Sequence, residues 1–124
     1  MLETGLRRRQ IEDAIVARAG SINLHQVDGR FVDGNAFPDF IHAWRDLTRY
    51  YQETDDAQVS AKLLKLYMRH AVRLREVFHD DRIALHRRER AEGALKQLNA
   101  EVDALISAVQ RNAGALKTAM GRLA

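Results

Sequence analysis

Apolar residues recur every three or four positions along four stretches of the chain, which is the spacing of amphipathic α-helices. The stretches cover residues 3–19, 37–53, 57–78 and 82–124. Few signals oppose helix along the chain, since proline, which breaks helix interiors, occurs once in 124 residues. The pattern therefore predicts an all-α fold of about four helices in a bundle, forming one domain over residues 1–124.

Polar residues between the stretches are typical of helix starts. Asn35 is suited to cap the second helix, and Pro38 falls in its first turn. Asp55 and Gln58 have the spacing of a capping box at the start of the third helix. These signals predict sharp breaks between the helices.

Residues 22–32 have a different pattern. Asp28-Gly29 separates two short apolar runs, and an Asp-Gly pair in that position favours a β-hairpin turn. A lone two-stranded hairpin needs to pack on helices to be stable. We therefore predict a small hairpin at 22–32 that lies on the bundle, with an irregular loop as the alternative.

The apolar positions of the last helix alternate by three and four from Ala91 to Leu123, as in a coiled coil or a long bundle helix. This seam is about 30 residues or roughly 45 Å long, longer than the other predicted helices can cover. We expect it to contact another protein chain, most simply a second copy in a homo-oligomer. Packing on the chain's own helices is the alternative. The predicted interface consists of Leu98, Val102, Leu105, Val109, Asn112 and Leu116.

Positive charge is concentrated in the middle of the chain. Residues 61–95 hold nine Lys or Arg against five Asp or Glu, whereas residues 1–60 hold seven against ten. Such a segment fits DNA or RNA phosphates, which it would contact without sequence preference, although it is also typical of a solvated helix face. The predicted phosphate-contacting residues are Lys62, Lys65, Arg69, Arg73, Arg82, Arg87, Arg88 and Arg90.

Catalytic patterns are lacking. The chain has no cysteine, which excludes disulfides and thiolate chemistry, and it has neither a nucleophile elbow nor a glycine-rich phosphate loop. Glu76 and His79 form a Glu-x-x-His pair, but a di-metal bundle site needs a second such pair and further inward carboxylates. His70 falls among apolar positions and is expected in the core. We therefore predict no enzyme, no metal and no cofactor.

No apolar run approaches the roughly 20 residues that span a bilayer, and acidic residues directly follow the N-terminal arginines. These features predict a cytoplasmic protein without a membrane partner. The favoured function is a non-catalytic binding, assembly or regulatory module that acts through its C-terminal helix. The alternative is a nucleic-acid backbone-binding subunit that uses residues 62–90, and a metal-dependent helical-bundle enzyme is the least favoured.

Overall fold

A computed structural model describes the backbone of residues 2–123 and the side chains of residues 5–122. The all-α bundle predicted from the sequence is confirmed within these residues. A short 3₁₀ turn, Arg30–Val32, precedes the second helix. The α-helices are α1 (Leu2–Ala19), α2 (Ala36–Glu53), α3 (Ala61–His79) and α4 (Leu85–Leu123). Leu123, the last residue of the predicted seam, has its side chain outside the described part.

Helix α2 packs against both α1 and α4, while α3 packs against α4 and, less extensively, against α1. Phe40, Trp44 and Leu47 are spaced at three and four residues on one face of α2 and are fully buried. Burial of a large apolar side chain stabilises a fold by about 1.5–3 kcal/mol. The contacts of α2 therefore supply much of the stability of this bundle.

The predicted β-hairpin at 22–32 is wrong: this segment forms successive turns that lead into the 3₁₀ turn. A type I′ hairpin turn needs a positive φ at both central residues. Gly29 has a φ of 72°, but no described residue other than glycine has a positive φ, so Asp28 does not complete the turn. Instead, Asp28 Oδ1 accepts a hydrogen bond from the backbone N–H of Arg30 at 3.2 Å.

Helix α3 begins at Ala61 rather than at the predicted Ala57, and the predicted capping box does not form. The neighbouring carboxylate, Asp56, accepts the backbone N–H of Gln58 at 2.9 Å and holds residues 54–60 in a non-helical connection. Helix α4 likewise begins three residues later than predicted, because Asp80 Oδ1 accepts the backbone N–H of Arg82 at 3.0 Å. Asn35 occupies the N-cap position of α2 without a side-chain hydrogen bond.

Candidate interaction surfaces

Three of the predicted phosphate-contacting residues lie together on the solvent side of α3. Lys62, Lys65 and Arg69 are exposed, and within the described part of the chain none of them makes an ion pair or a side-chain hydrogen bond. Their spacing of three and four residues places them along one side of the helix. They form a short cationic row that is open to solvent.

Arg73, the fourth member of that predicted row, has a structural role. Its guanidinium donates to the backbone carbonyls of Leu24 at 2.7 Å and Gln26 at 2.9 Å. It also lies over the ring of Phe31, 5.5 Å from the ring centroid. Arg73 therefore fixes the 22–28 segment against α3, and its charge is not free for a ligand.

Asp33 binds two of the predicted basic residues of α4. Its carboxylate accepts from Arg87 Nε at 3.0 Å and from Arg90 Nη1 at 2.9 Å. The hydrogen bond from Arg87 is the largest cause that lowers the pKa of Asp33, and Arg90 adds to it. These two arginines are thus paired within the chain.

The remaining two predicted basic residues also have internal partners. Arg82 forms an ion pair with Asp80 at 3.0 Å, although its side chain is well exposed. Arg88 Nε donates to the backbone carbonyl of Ile83 at 3.0 Å. The structure therefore does not bring the eight predicted residues into one free cationic surface.

An exposed apolar row, which is not among the surfaces predicted from the sequence, runs along the outer face of α3. Leu64, Met68 and Val72 are 36%, 60% and 54% exposed and follow one another at intervals of four residues. The spacing of four was a signal available in the sequence. It was obscured because these residues interleave with the cationic row.

Grooves flank this apolar row on both sides. On one side, a groove of about 630 Å³ separates α3 from Leu24 and Val27 of the 22–28 segment. On the other side, a groove of about 270 Å³ lies between α3 and Leu95 of α4. Met68 and Val72 line both grooves, so the row forms a ridge with a concave surface on either side.

The structure changes the interface predicted for α4. Leu98, Val102 and Leu105 are buried in the core of this chain, where α4 packs against α2 and α3. A partner chain cannot reach them while the bundle is intact. Of the predicted interface residues, Val109 is partly buried and Leu116 is exposed, which moves the candidate interface toward the C-terminal end of α4.

Asn112 also has a partner inside the chain. Its side-chain amide donates to the backbone carbonyls of Tyr51 and Asp56, both at 2.8 Å. It therefore links α4 to the end of α2 and to the connection that follows, so its amide is engaged within the chain and not at the predicted interface with another chain.

Beyond Asn112 the described residues of α4 are solvent-exposed, although their apolar pattern continues. Leu116 and Met120 are 56% and 62% exposed. At 100° per residue they lie on the same side of α4 as the buried Leu98 and Val102. The helix face that packs in the core thus continues uncovered.

A buried polar cluster lies where α1, α2 and α4 meet the α2–α3 connection. Asp56 Oδ2 accepts from Arg8 Nη1 and from the hydroxyl of Tyr50, both at 2.5 Å. The hydroxyl of Tyr51 donates to the backbone carbonyl of Gln58. Burial, reinforced by the hydrogen bond to Asp56, raises the pKa of Tyr50 to about 12. A tyrosine with that pKa stays neutral near pH 7 and acts as a hydrogen-bond donor.

The pKa of Asp56 is shifted in the opposite direction. Burial acts to raise it, but hydrogen bonds from Tyr50, the backbone N–H of Gln58 and Arg8 outweigh burial and lower it. The carboxylate is therefore charged at neutral pH and pairs with Arg8. This arrangement therefore stabilises the fold.

The residues considered for a metal site are not assembled into one. Across the described residues, no group of three or more His, Cys, Asp or Glu side chains is close enough to hold a metal ion. Glu76 forms an ion pair with Arg73 at 3.2 Å, and the ring of His79 packs on the ring of Phe78 with centroids 4.5 Å apart. Both side chains are exposed.

Comparison of the chain with protein-family models, with curated proteins and with solved structures finds no match. None of the helices within the described residues is long and apolar enough to cross a membrane. Two surfaces of the described chain are candidates for contact with a partner, the outer face of α3 and the exposed end of α4.

Proposed function

We propose that this protein is a non-catalytic assembly module that pairs with a second copy of itself through residues 109–122 of α4. The observation that carries the proposal is the continuity of the apolar face of α4. This face is covered by α2 and α3 as far as Ala108, Val109 is partly buried, and the described residues beyond Asn112 lie in solvent. An apolar helix face that leaves its own bundle is typical of contact with another chain.

The spacing of this segment suits a second helix. Val109, Ala113, Leu116 and Met120 follow one another at four, three and four residues, which is the repeat of a coiled-coil seam. A helical segment of this length is marginal in water without packing partners. Pairing would supply the missing packing, and a two-fold arrangement would let the same row serve both chains.

Charge does not oppose pairing with a second copy. The basic residues of this segment are Arg111, Lys117 and Arg122, and no acidic residue accompanies them. Arg111 and Arg122 lie on the side of the helix opposite the apolar row, so they stay in solvent in a pair. Only Lys117 lies beside the row, where repulsion is weak and screened by salt.

The seam is short, which sets the expected strength. Interfaces that bury less than about 1,200 Å² in total are usually weak or transient. A seam of four apolar residues per chain would bury an area in that class, so we expect reversible self-association that depends on concentration. This behaviour suits an assembly or regulatory module better than a permanent dimer.

Light scattering over a concentration series tests this proposal. The mass of the wild type should rise from the 14.2 kDa of one chain toward twice that value. The double variant Leu116→Asp, Met120→Asp should stay at the mass of one chain, and the bundle should keep its helical circular dichroism because both side chains lie outside its core. The matched control Ala115→Asp, Thr118→Asp adds the same charge to the opposite side of the helix and should associate like the wild type.

Two results would reject self-association through α4. One is a wild-type protein that is strictly monomeric at millimolar concentration. The other is a wild-type dimer that both double variants form equally well, since its interface would then lie elsewhere.

Nucleic-acid backbone binding has less support as the main function. Arg73, Arg87 and Arg90 are engaged within the chain, and a ligand would have to compete with those partners. The free cations of α3 stand beside an apolar row that gains little from a phosphate backbone. The outer face of α3 fits a different kind of partner, which is described below.

A further inference from the structure

The outer face of α3 carries both apolar and cationic side chains, and the apolar ones are not expected on a helix face that contacts only water. The solvent face of a globular helix is normally polar, whereas Leu64, Met68 and Val72 form a continuous exposed row. The row spans nine residues from Leu64 to Val72, or about 12 Å along the helix. This length matches two turns of a partner helix.

Cations border the row on both sides. Lys65 and Arg69 lie on one side and Arg75 on the other, as the 100° rotation per residue requires. In the part of the chain that the structure describes, these three side chains have no hydrogen-bond or ion-pair partner. Their charge is therefore available to a ligand that contacts the row.

The surface is concave on both sides of the row, because the 22–28 segment and α4 rise beside α3. Helix-in-groove recognition uses this shape: apolar residues at helical spacing enter the groove, and polar residues pair at its edges. Val27 and Leu24 extend the apolar lining of the larger groove.

We propose that this face binds an amphipathic helix of a partner protein that carries apolar anchor residues flanked by Asp or Glu. The anchors contact Met68 and Val72, and the partner's carboxylates pair with Lys65, Arg69 and Arg75. Charge complementarity selects an acidic helix over a basic one. This surface lies on a different helix from the seam of α4, so it would act independently of self-association.

The same features disfavour two other negatively charged partners, a nucleic-acid backbone and a membrane surface. The side chains of Leu24 and Val27 line the larger groove and offer no hydrogen-bond donor to a phosphate. A phosphate backbone also leaves the apolar row without a partner, and a flat bilayer surface does not reach the linings of the two grooves. A helix satisfies both the apolar row and the cations.

A display library of helical peptides, randomised on one face, tests the proposal. It is panned on the wild-type protein and depleted on the double variant Met68→Ser, Val72→Ser. We expect enriched peptides with large apolar residues at helical spacing and a net negative charge. Their affinity should fall by about tenfold or more in the double variant, because apolar anchors dominate interface energies. It should not change in Leu85→Ser, which removes an exposed leucine from another helix.

Charge reversal provides the second arm. The double variant Lys65→Glu, Arg69→Glu should lose the acidic peptides and regain binding to peptides in which lysine replaces their glutamates. Circular dichroism of both double variants checks that the helices remain folded. Rescue by the reversed peptides reports a direct charge pair, since a folding defect would not be repaired by a change in the ligand.

Several outcomes would overturn the proposal. These are the absence of enrichment over the depleted variant, enrichment of neutral or basic peptides, and affinities that Met68→Ser, Val72→Ser leaves unchanged. Duplex DNA and phosphatidylserine vesicles are titrated in parallel. If either one binds and loses affinity in the double variants while no acidic peptide is enriched, the face is a nucleic-acid or a membrane surface instead.

Discussion

The imidazole ring of His70 lies 4.6 Å from the ring of Phe40, with the two planes tilted by 33°. His70 Nδ1 lies 2.8 Å from the backbone carbonyl of Leu66, which fixes the neutral tautomer with its proton on Nδ1. Nε2 is buried, and among the described residues it has no hydrogen-bond partner. A proton at Nε2 would therefore be an unpaired charge among aromatic rings.

His70 makes stability depend on pH. Burial lowers its pKa below the ordinary 6.5, against a smaller opposing effect of the Leu66 carbonyl. The unfolded chain therefore binds a proton more readily than the folded chain, and the free energy of unfolding decreases as the pH falls below 6.5. Urea unfolding at about pH 7.5 and about pH 5.5 should show this loss, and His70→Leu should reduce it. The exposed control His42→Gln should retain it, and equal pH dependence in wild type and His70→Leu would contradict the assignment.

The carboxylate of Asp56 also makes stability depend on pH, but in a more acidic range than His70 does. Its pKa is lowered from 3.8 in the folded state, so its stabilising effect is present above that pH and is lost as the pH falls through the folded value. Acid unfolding of Asp56→Asn should therefore lose part of the transition below pH 4 and leave the His70 range unchanged. A variant whose profile changes only near pH 6 would contradict this division.

Arg73 and Arg69 are neighbours on α3 with different expected effects on stability. Arg73→Gln removes two hydrogen bonds to backbone carbonyls and the contact with Phe31. We expect a loss of about 1–3 kcal/mol in the free energy of unfolding and faster proteolysis within residues 22–28. Arg69→Gln is the matched control and should stay within about 0.5 kcal/mol of the wild type. Equal stability of the two variants would show that Arg73 does not hold the segment.

Asn112→Ala tests the link between α4 and the α2–α3 connection. The substitution leaves the carbonyls of Tyr51 and Asp56 without their donor. We expect a loss of about 1–3 kcal/mol by urea unfolding. The exposed neighbour Gln110→Ala should change stability by less than about 0.5 kcal/mol. Unchanged stability of Asn112→Ala would mean that water replaces the amide at no cost.

Substitution by alanine at two glycines should change the stability of the protein in opposite directions. A Cβ on Gly29, which has a φ of 72°, would lie 3.0 Å from Val77 Cγ1. Gly29→Ala should cost about 1–2 kcal/mol or more from backbone conformation and crowding. Gly93 lies within α4 with open space around it, so Gly93→Ala should stabilise the protein by about 0.5–1 kcal/mol. Thermal unfolding of both variants checks the contrast, and a shift in the same direction would contradict it.

The helices were predictable because their apolar spacing depends only on local sequence. The prediction of a hairpin at 22–32 failed because the Asp28-Gly29 signal is shared by hairpins and other turns. The path of this segment depends on Arg73, which is more than 45 residues away in sequence and binds the carbonyls of Leu24 and Gln26. The start of α3 failed similarly, since Asp56 is engaged by Arg8 and Tyr50 rather than by a helix cap.

The candidate surfaces were harder to predict than the helices. A heptad pattern indicates that a helix face is covered, but it does not indicate which chain covers it. Leu98 and Leu105 are covered by the chain's own helices and Leu116 is not, although all three follow the same spacing. The concentration of basic residues is visible in the sequence, but pairs such as Asp33 with Arg87, 54 positions apart, are visible only in three dimensions.

The connection between α2 and α3 lacks regular secondary structure, yet it is held from three directions. The Asp56 carboxylate binds Arg8 of α1 and Tyr50 of α2, while its backbone carbonyl accepts from Asn112 of α4. Chain breaks and insertions are usually tolerated at exposed loops that carry few contacts. This connection is therefore a poor place to open the chain for circular permutation or to insert a reporter domain, because a single cut there would disturb the contacts of Asp56 with α1, α2 and α4 together.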